Sequence, residues 1–240
     1  MNNNQNVGGA LVLGVFLCAG LIGLGYYLAD GFLQAKALER TVTVKGLSER
    51  EVPADVAIWP IKFSAADNEL TALYAVIEKN NTLVVDFLKQ HGFSDAEITV
   101  SVPAIVDRQA QSYGNEGSAK FRYLSSSSIN VYSQNVDRVR ATMNDLVELG
   151  KQGLAIAGQD YESRTQFLFT QLNDLKPGMI EEATRNAREV AGKFAQDSVS
   201  TLGKIKTANQ GQFSIEDRDS NTPHIKKVRV VSTVEYYLSD

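Results

Sequence analysis

The chain has a single cysteine, Cys18, and it lies inside an apolar run. With no thiol after residue 18, a disulfide framework, a thiol nucleophile and a cysteine-ligated zinc site are excluded from the large C-terminal part. Histidine is nearly as scarce, with only His91 and His224. His91 stands where a helix should end and a cation suits the helix dipole, and His224 follows Pro223 in a loop. A serine-hydrolase elbow, a P-loop and a dinucleotide-binding glycine fingerprint are all missing. Charge of one sign is also lacking: the net charge is −4 with 22% charged residues, which gives no electrostatic basis for binding nucleic acid. Lys226, Lys227 and Arg229 alternate with Val228 and Val230 as the solvated face of a strand. Asp217-x-Asp219-x-Asn221 opens like a calcium loop, but Thr222 occupies the position that needs glycine and Val228 the one that needs glutamate. A polar hairpin turn is the better reading. Neither a metal nor a cofactor is expected, and the chain is not expected to be an enzyme.

What the chain does have is Val7–Leu28, a run without a charged residue. At about 1.5 Å per residue it is long enough to cross the roughly 30 Å core of a bilayer. Tyr26 and Tyr27 close the run where an interfacial aromatic belt belongs. Three readings compete. A retained anchor over residues 7–33 suits the length. A cleaved signal peptide is disfavoured because residues 1–6 carry no Lys or Arg and the run exceeds the usual core, although Ala35-Lys36-Ala37 resembles a cleavage site. A lipoprotein is disfavoured because Leu17 precedes Cys18. The retained anchor is adopted, with 1–6 as a short tail, 34–40 as a linker and 41–240 as a globular domain. Lys36, Arg40 and Lys45 follow the run and would by the positive-inside rule hold the domain in the cytoplasm, but long domains translocate largely regardless of charge.

The rest reads as strands with helices between them. Strands are expected from Thr41 and from Pro53 to Phe63, with Gly46 marking a bulge or a close backbone approach and Pro60 a bulge or edge. A helix follows from Asp67 to Gly92, then a strand over Ile98–Val106 and a turn-rich loop, Gln109–Ser118, carrying Tyr113 and Asn115 as candidate binding residues. Phe121–Tyr132 is the return strand, with Ser125–Ser128 as an exposed or edge stretch. A second helix spans Val136–Leu149, and strands follow at Leu154–Ile156 and Ser163–Leu172. Pro177 opens a third helix expected to reach Leu202 and stop at Gly203. In it Ala183, Ala187, Ala191 and Ala195 recur every four residues, a ridge that suits tight packing on the domain's own sheet or a close subunit contact. Strands over Lys204–Ile215 and Ile225–Leu238 end the chain. This order indicates an α+β fold with mainly antiparallel sheets, hairpin-paired strands and inserted helices, plus one N-terminal transmembrane helix.

The opening TVTVKGLSEREVPADVAIW, with Gly46, Pro53 and Asp55, resembles the start of the SIMPL domain family. ATRNAREVAGKFAQDSVSTLGKI resembles its C-terminal helix and VRVVSTVEYYL its closing strand. The resemblance covers about residues 40–240. It implies the family's fold and a bacterial envelope location, single-pass in the inner membrane with the C-terminal domain in the periplasm. Members similar to the periplasmic immunogenic protein assemble into ring- or channel-like oligomers, and others are linked to oxidative stress. The resemblance therefore implies a large ring- or cage-like homo-oligomer with a structural or stress-protective role. The alternative is an envelope module that captures a protein or small ligand without catalysis.

Overall fold

The computed structural model describes residues 4–37, 40–110, 120–158 and 164–239, with the side chains of 4–8, 10 and 34–37 left aside. The first helix, α1, runs from Asn4 to Ala37 without interruption. Asp30-Gly31 lies within it, because one glycine costs an exposed helix only about 1 kcal/mol. Leu11–Leu33 has a mean hydropathy of 2.1 and no residue buried against the protein, so this helix is long and apolar enough to cross a membrane.

The remaining elements are β1 (Thr41–Pro53), β2 (Val56–Asp67), α2 (Leu70–Gln90), β3 (Ile98–Val100), β4 (Ala104–Asp107), β5 (Tyr123–Ser133), α3 (Val136–Asp145), α4 (Val147–Lys151), β6 (Gln166–Leu168), α5 (Leu172–Asp197), β7 (Thr201–Gln210), β8 (Ser214–Asp217) and β9 (Ile225–Ser239). The fold is α+β with two sheets. One is four-stranded, in the order β1-β9-β7 with β8 also on β9; the other is five-stranded, in the order β3-β5-β2-β6 with β4 also on β5. The expected hairpin pairing of consecutive strands fails for β1 and β2. These enter different sheets because the chain turns at Ala54-Asp55, where Ala54 N–H donates to His224 O and Asp55 N–H to Leu168 O.

The chain divides into two compact units, one of Met1–Glu49, Lys176–Phe213 and Arg229–Asp240, the other of Arg50–Leu175 and Ser214–Val228. In the second unit β2 and β5 pair antiparallel in unbroken register from Ala57–Ser133 to Asp67–Tyr123. Trp59, Ile61, Phe63, Ile129 and Val131 point from them into a core closed by Val84, Phe87 and Leu88 of α2. Pro60 causes no bulge; β6 pairs with β2 only over Val56–Ile58, so Pro60 lies beyond it. The serine run is not an edge either. β5 is central, and Ser125 and Ser127 are buried, since side chains this small let the covering layer come close. The expected strand over 98–106 is two, both on β5, parted at Val102-Pro103 because proline lacks the ladder donor. The second helix likewise splits at Leu146. Of the strands expected at 154–156 and 163–172, a bridge at Ile156 and a strand over Gln166–Leu168 are found among the described residues.

In the first unit α5 begins at Leu172, so Pro177 lies inside the helix rather than in its first turn. α5 also ends earlier than expected. Val199 adopts a left-handed φ of 52° and Ser200 N–H closes on Ala195 O, which releases the chain into β7. Gly203 is therefore a strand residue, where a β-carbon would stand 3.0 Å from Tyr237 O.

Candidate functional site

Within the first unit the alanine ridge is the contact between helix and sheet. Ala183, Ala187 and Ala191 are fully buried and Ala195 nearly so. Ala187 and Ala191 share a cluster with Val44, Val234 and Tyr236, flanked by Val42 and Leu202. Alanine lets α5 descend so far that Gly46 of β1 meets its backbone: a β-carbon there would clash with Ala183 O and lie 2.5 Å from Ala187 N. Of the two readings of Gly46, close approach is the one found. Two polar links hold the β1 side of the helix. Ser48 Oγ donates to Glu182 Oε2 at 2.9 Å, and Asn186 Nδ2 donates to Leu47 O at 2.8 Å. On the solvent face Arg229 pairs with Glu49 at 3.2 Å. Glu235 is held below the usual carboxylate range by hydrogen bonds from Thr41, Lys206 and Thr207. The Tyr236 hydroxyl and Ser232 Oγ are buried without a hydrogen-bond partner.

The second unit holds an open cleft of about 720 Å³ whose lining includes Tyr132, Glu97, Arg138 and His224. A smaller depression of about 460 Å³ shares His224 and Asp137 with it. Glu97 accepts from Ser133 Oγ at 2.6 Å, from Ser94 N at 3.0 Å and from Ser94 Oγ at 2.9 Å, with Arg138 Nη2 3.6 Å away. Burial pushes its pKa up, but these bonds and the arginine outweigh it, and the net shift is down. The Arg138 guanidinium lies 5.0 Å over the Phe93 ring and donates to Gly92 O. The backbone N–H of Arg138 is capped by Asn135 Oδ1. His224 packs edge-on to Phe167 at 6.1 Å, and burial, with the charges of Arg140 and Arg218, lowers its pKa. Its imidazole is therefore neutral at pH 7. A carboxylate ringed by donors and a neutral imidazole give the cleft a polar lining; Glu97 is poorly placed to carry a proton.

Other candidates have structural roles. His91 Nδ1 is 2.8 Å from Phe87 O, and Nε2 is 3.4 Å from Asp145 Oδ2. Asp217 pairs with Lys226, while Asp219 accepts from Asn221 N–H, Thr222 N–H and Arg218 Nε, the bonds of a polar turn. Among the described residues no three His, Cys, Asp or Glu side chains group to hold a metal. Tyr113 and Asn115 lie outside the described residues. Sequence reasoning missed the Glu97–Arg138 cleft. Ser94-x-x-Glu97 was a visible capping-box pattern, whereas Ser133 and Arg138 reach it only through folding.

The model of one protein family, described as "SIMPL: Protein of unknown function (DUF541)", matches residues 42–236. No curated protein matches the chain.

Proposed function

The chain belongs to the SIMPL family, and from that premise we propose that it is a non-catalytic, membrane-anchored envelope protein whose SIMPL domain self-associates into a closed homo-oligomer with a structural or stress-protective role. α1 supplies the single-pass anchor in the bacterial inner membrane, with the domain on the periplasmic side. The location and the assembly are what the family resemblance implies. The observation that carries self-association is the four-stranded sheet, in which β1 and β7 are both outermost strands among the described residues. Open strand edges recruit further strands, and repeated contacts of this kind close into rings when the rotation permits. The absence of catalysis is supported by the two histidines, one bonded at a helix end and one packed on an aromatic ring.

The test is the native mass of the full-length protein in mild detergent. A discrete high-order species is expected; a monomer at every concentration overturns the reading. A second reading, ligand capture without catalysis, draws on the cleft around Glu97, Arg138 and His224. If it holds, Arg138→Ala abolishes retention of a partner from envelope extract while leaving the native mass unchanged.

A further inference from the structure

We propose that β1 of one copy pairs antiparallel with β1 of a second copy, centred on Leu47, so that the sheet continues across a two-fold axis. This rests on the self-association reading and assigns it one of its contacts, the two-fold one that makes a dimer; a larger closed assembly is built from such dimers through a second, different contact. β1 is 13 residues long and the outermost strand of its sheet; among the described residues its neighbour is β9. In a strand, the N–H and C=O of successive residues point to opposite edges. Arg40 O accepts from Leu238 N–H of β9, so the even-numbered residues face β9 and Thr41, Thr43, Lys45 and Leu47 face the open edge. Only an extended chain offers the matching series of donors and acceptors, which makes the occupant a strand. Asn186 Nδ2, 2.8 Å from Leu47 O, holds that carbonyl in the single chain and swings aside when the N–H of the added strand takes its place.

Side-chain complementarity identifies that strand as β1 itself. With Leu47 opposite Leu47, Lys45 of each copy faces Glu49 of the other. Opposite charges directly across an antiparallel pair are favourable, whereas a register placing Lys45 opposite itself is not. Leu47 is 40% exposed in the single chain and would be covered by its counterpart. On the helix side, Glu182 and Asn186 bond to β1, and the same row of α5 continues at four-residue spacing into Val190 and Phe194, 37% and 54% exposed. In this register Val52 of the second copy comes opposite Val42, below that apolar pair. One self-complementary patch is what a two-fold contact requires.

The lone native cysteine makes the test direct. In full-length protein carrying Cys18→Ser, Leu47→Cys places two thiols on directly opposed residues, within the Cα separation a disulfide spans. Thr43→Cys places them about 27 Å apart. Under mild oxidation Leu47→Cys is expected to give a covalent dimer and Thr43→Cys none. Without added cysteines, Lys45→Glu should weaken association about ten-fold, and adding Glu49→Lys together with Arg229→Glu, which keeps an ion pair at the Glu49–Arg229 contact, should restore it. An oligomer that shows neither the Leu47→Cys cross-link nor the charge effect overturns the β1 contact and leaves self-association standing. A wild-type chain that is monomeric throughout overturns both.

Discussion

Gly46 of β1 lies directly beneath Ala183 of α5, so close that a β-carbon on Gly46 would run into the Ala183 carbonyl oxygen. The three atoms that a side chain would strike, Ala183 O, Ala183 C and Ala187 N, are all helix backbone, so no rotamer can relieve the clash. Gly46→Ala is therefore expected to destabilise the protein by about 3 kcal/mol, by forcing α5 off the sheet. Gly192→Ala, in the same helix with nothing within 4 Å, is the control. It should stabilise by about 0.5–1 kcal/mol through reduced backbone entropy alone. Thermal denaturation of the two variants side by side reads the difference.

Val199 ends α5 with a φ of 52° and is 90% exposed. A β-branched side chain in the left-handed region is strained, and at this exposure it gains little from burial. Val199→Gly is expected to raise stability by about 1 kcal/mol, measured as an increased denaturation midpoint with an unchanged slope.

Glu97 should make the protein acid-sensitive. Its folded pKa lies below its ordinary value, so its contribution is complete above the ordinary carboxylate range and is lost as pH falls through the folded value. Wild type is expected to lose more stability than Glu97→Gln between pH 5 and pH 3, on a scale of about 2 kcal/mol for hydrogen bonds to a charged group. Equal losses in the two proteins would remove Glu97 from this role.

His224 acts in a higher window. Its folded pKa is also depressed, so the neutral ring is favoured in the fold, and stability falls as pH drops below its ordinary value of 6.5. A His224→Gln variant should lack the part of the decline that begins near pH 6.5. Stability curves collected from pH 8 to pH 5 separate this contribution from that of Glu97.

The anchor is tested at Leu21, within the apolar window Leu11–Leu33. An arginine near the centre of a spanning helix costs about 3 kcal/mol of insertion free energy. Wild type should stay in the membrane pellet on alkaline extraction, and Leu21→Arg should shift the protein toward the supernatant.

Much of this was legible in the sequence, where local chemistry dominates. The apolar run announced α1 because an uncharged run of this length is what a membrane-crossing helix requires. The four-residue alanine spacing announced a ridge because side chains four apart share one helix face. The serine run at 125–128 was misread for the complementary reason. Small polar residues look exposed on their own, but β5 runs between β2 and the β3–β4 pair, and Ser125 and Ser127 are buried. The end of α5 was misplaced because Gly203 looked like the stop, whereas the turn is made by Val199, which carries no glycine signal.

By itself, then, the sequence determined the long apolar N-terminal helix, the alternation of strands and helices, and the ridge that sets how closely α5 meets its sheet. These depend on hydrophobic length and periodicity, which are properties of neighbouring residues. The tertiary structure alone decided that β1 and β2 part into different sheets, that β1 is the outermost strand of its sheet among the described residues, and that Ser133 and Arg138 converge on Glu97. Those depend on pairings between segments far apart in the chain, which no local pattern specifies.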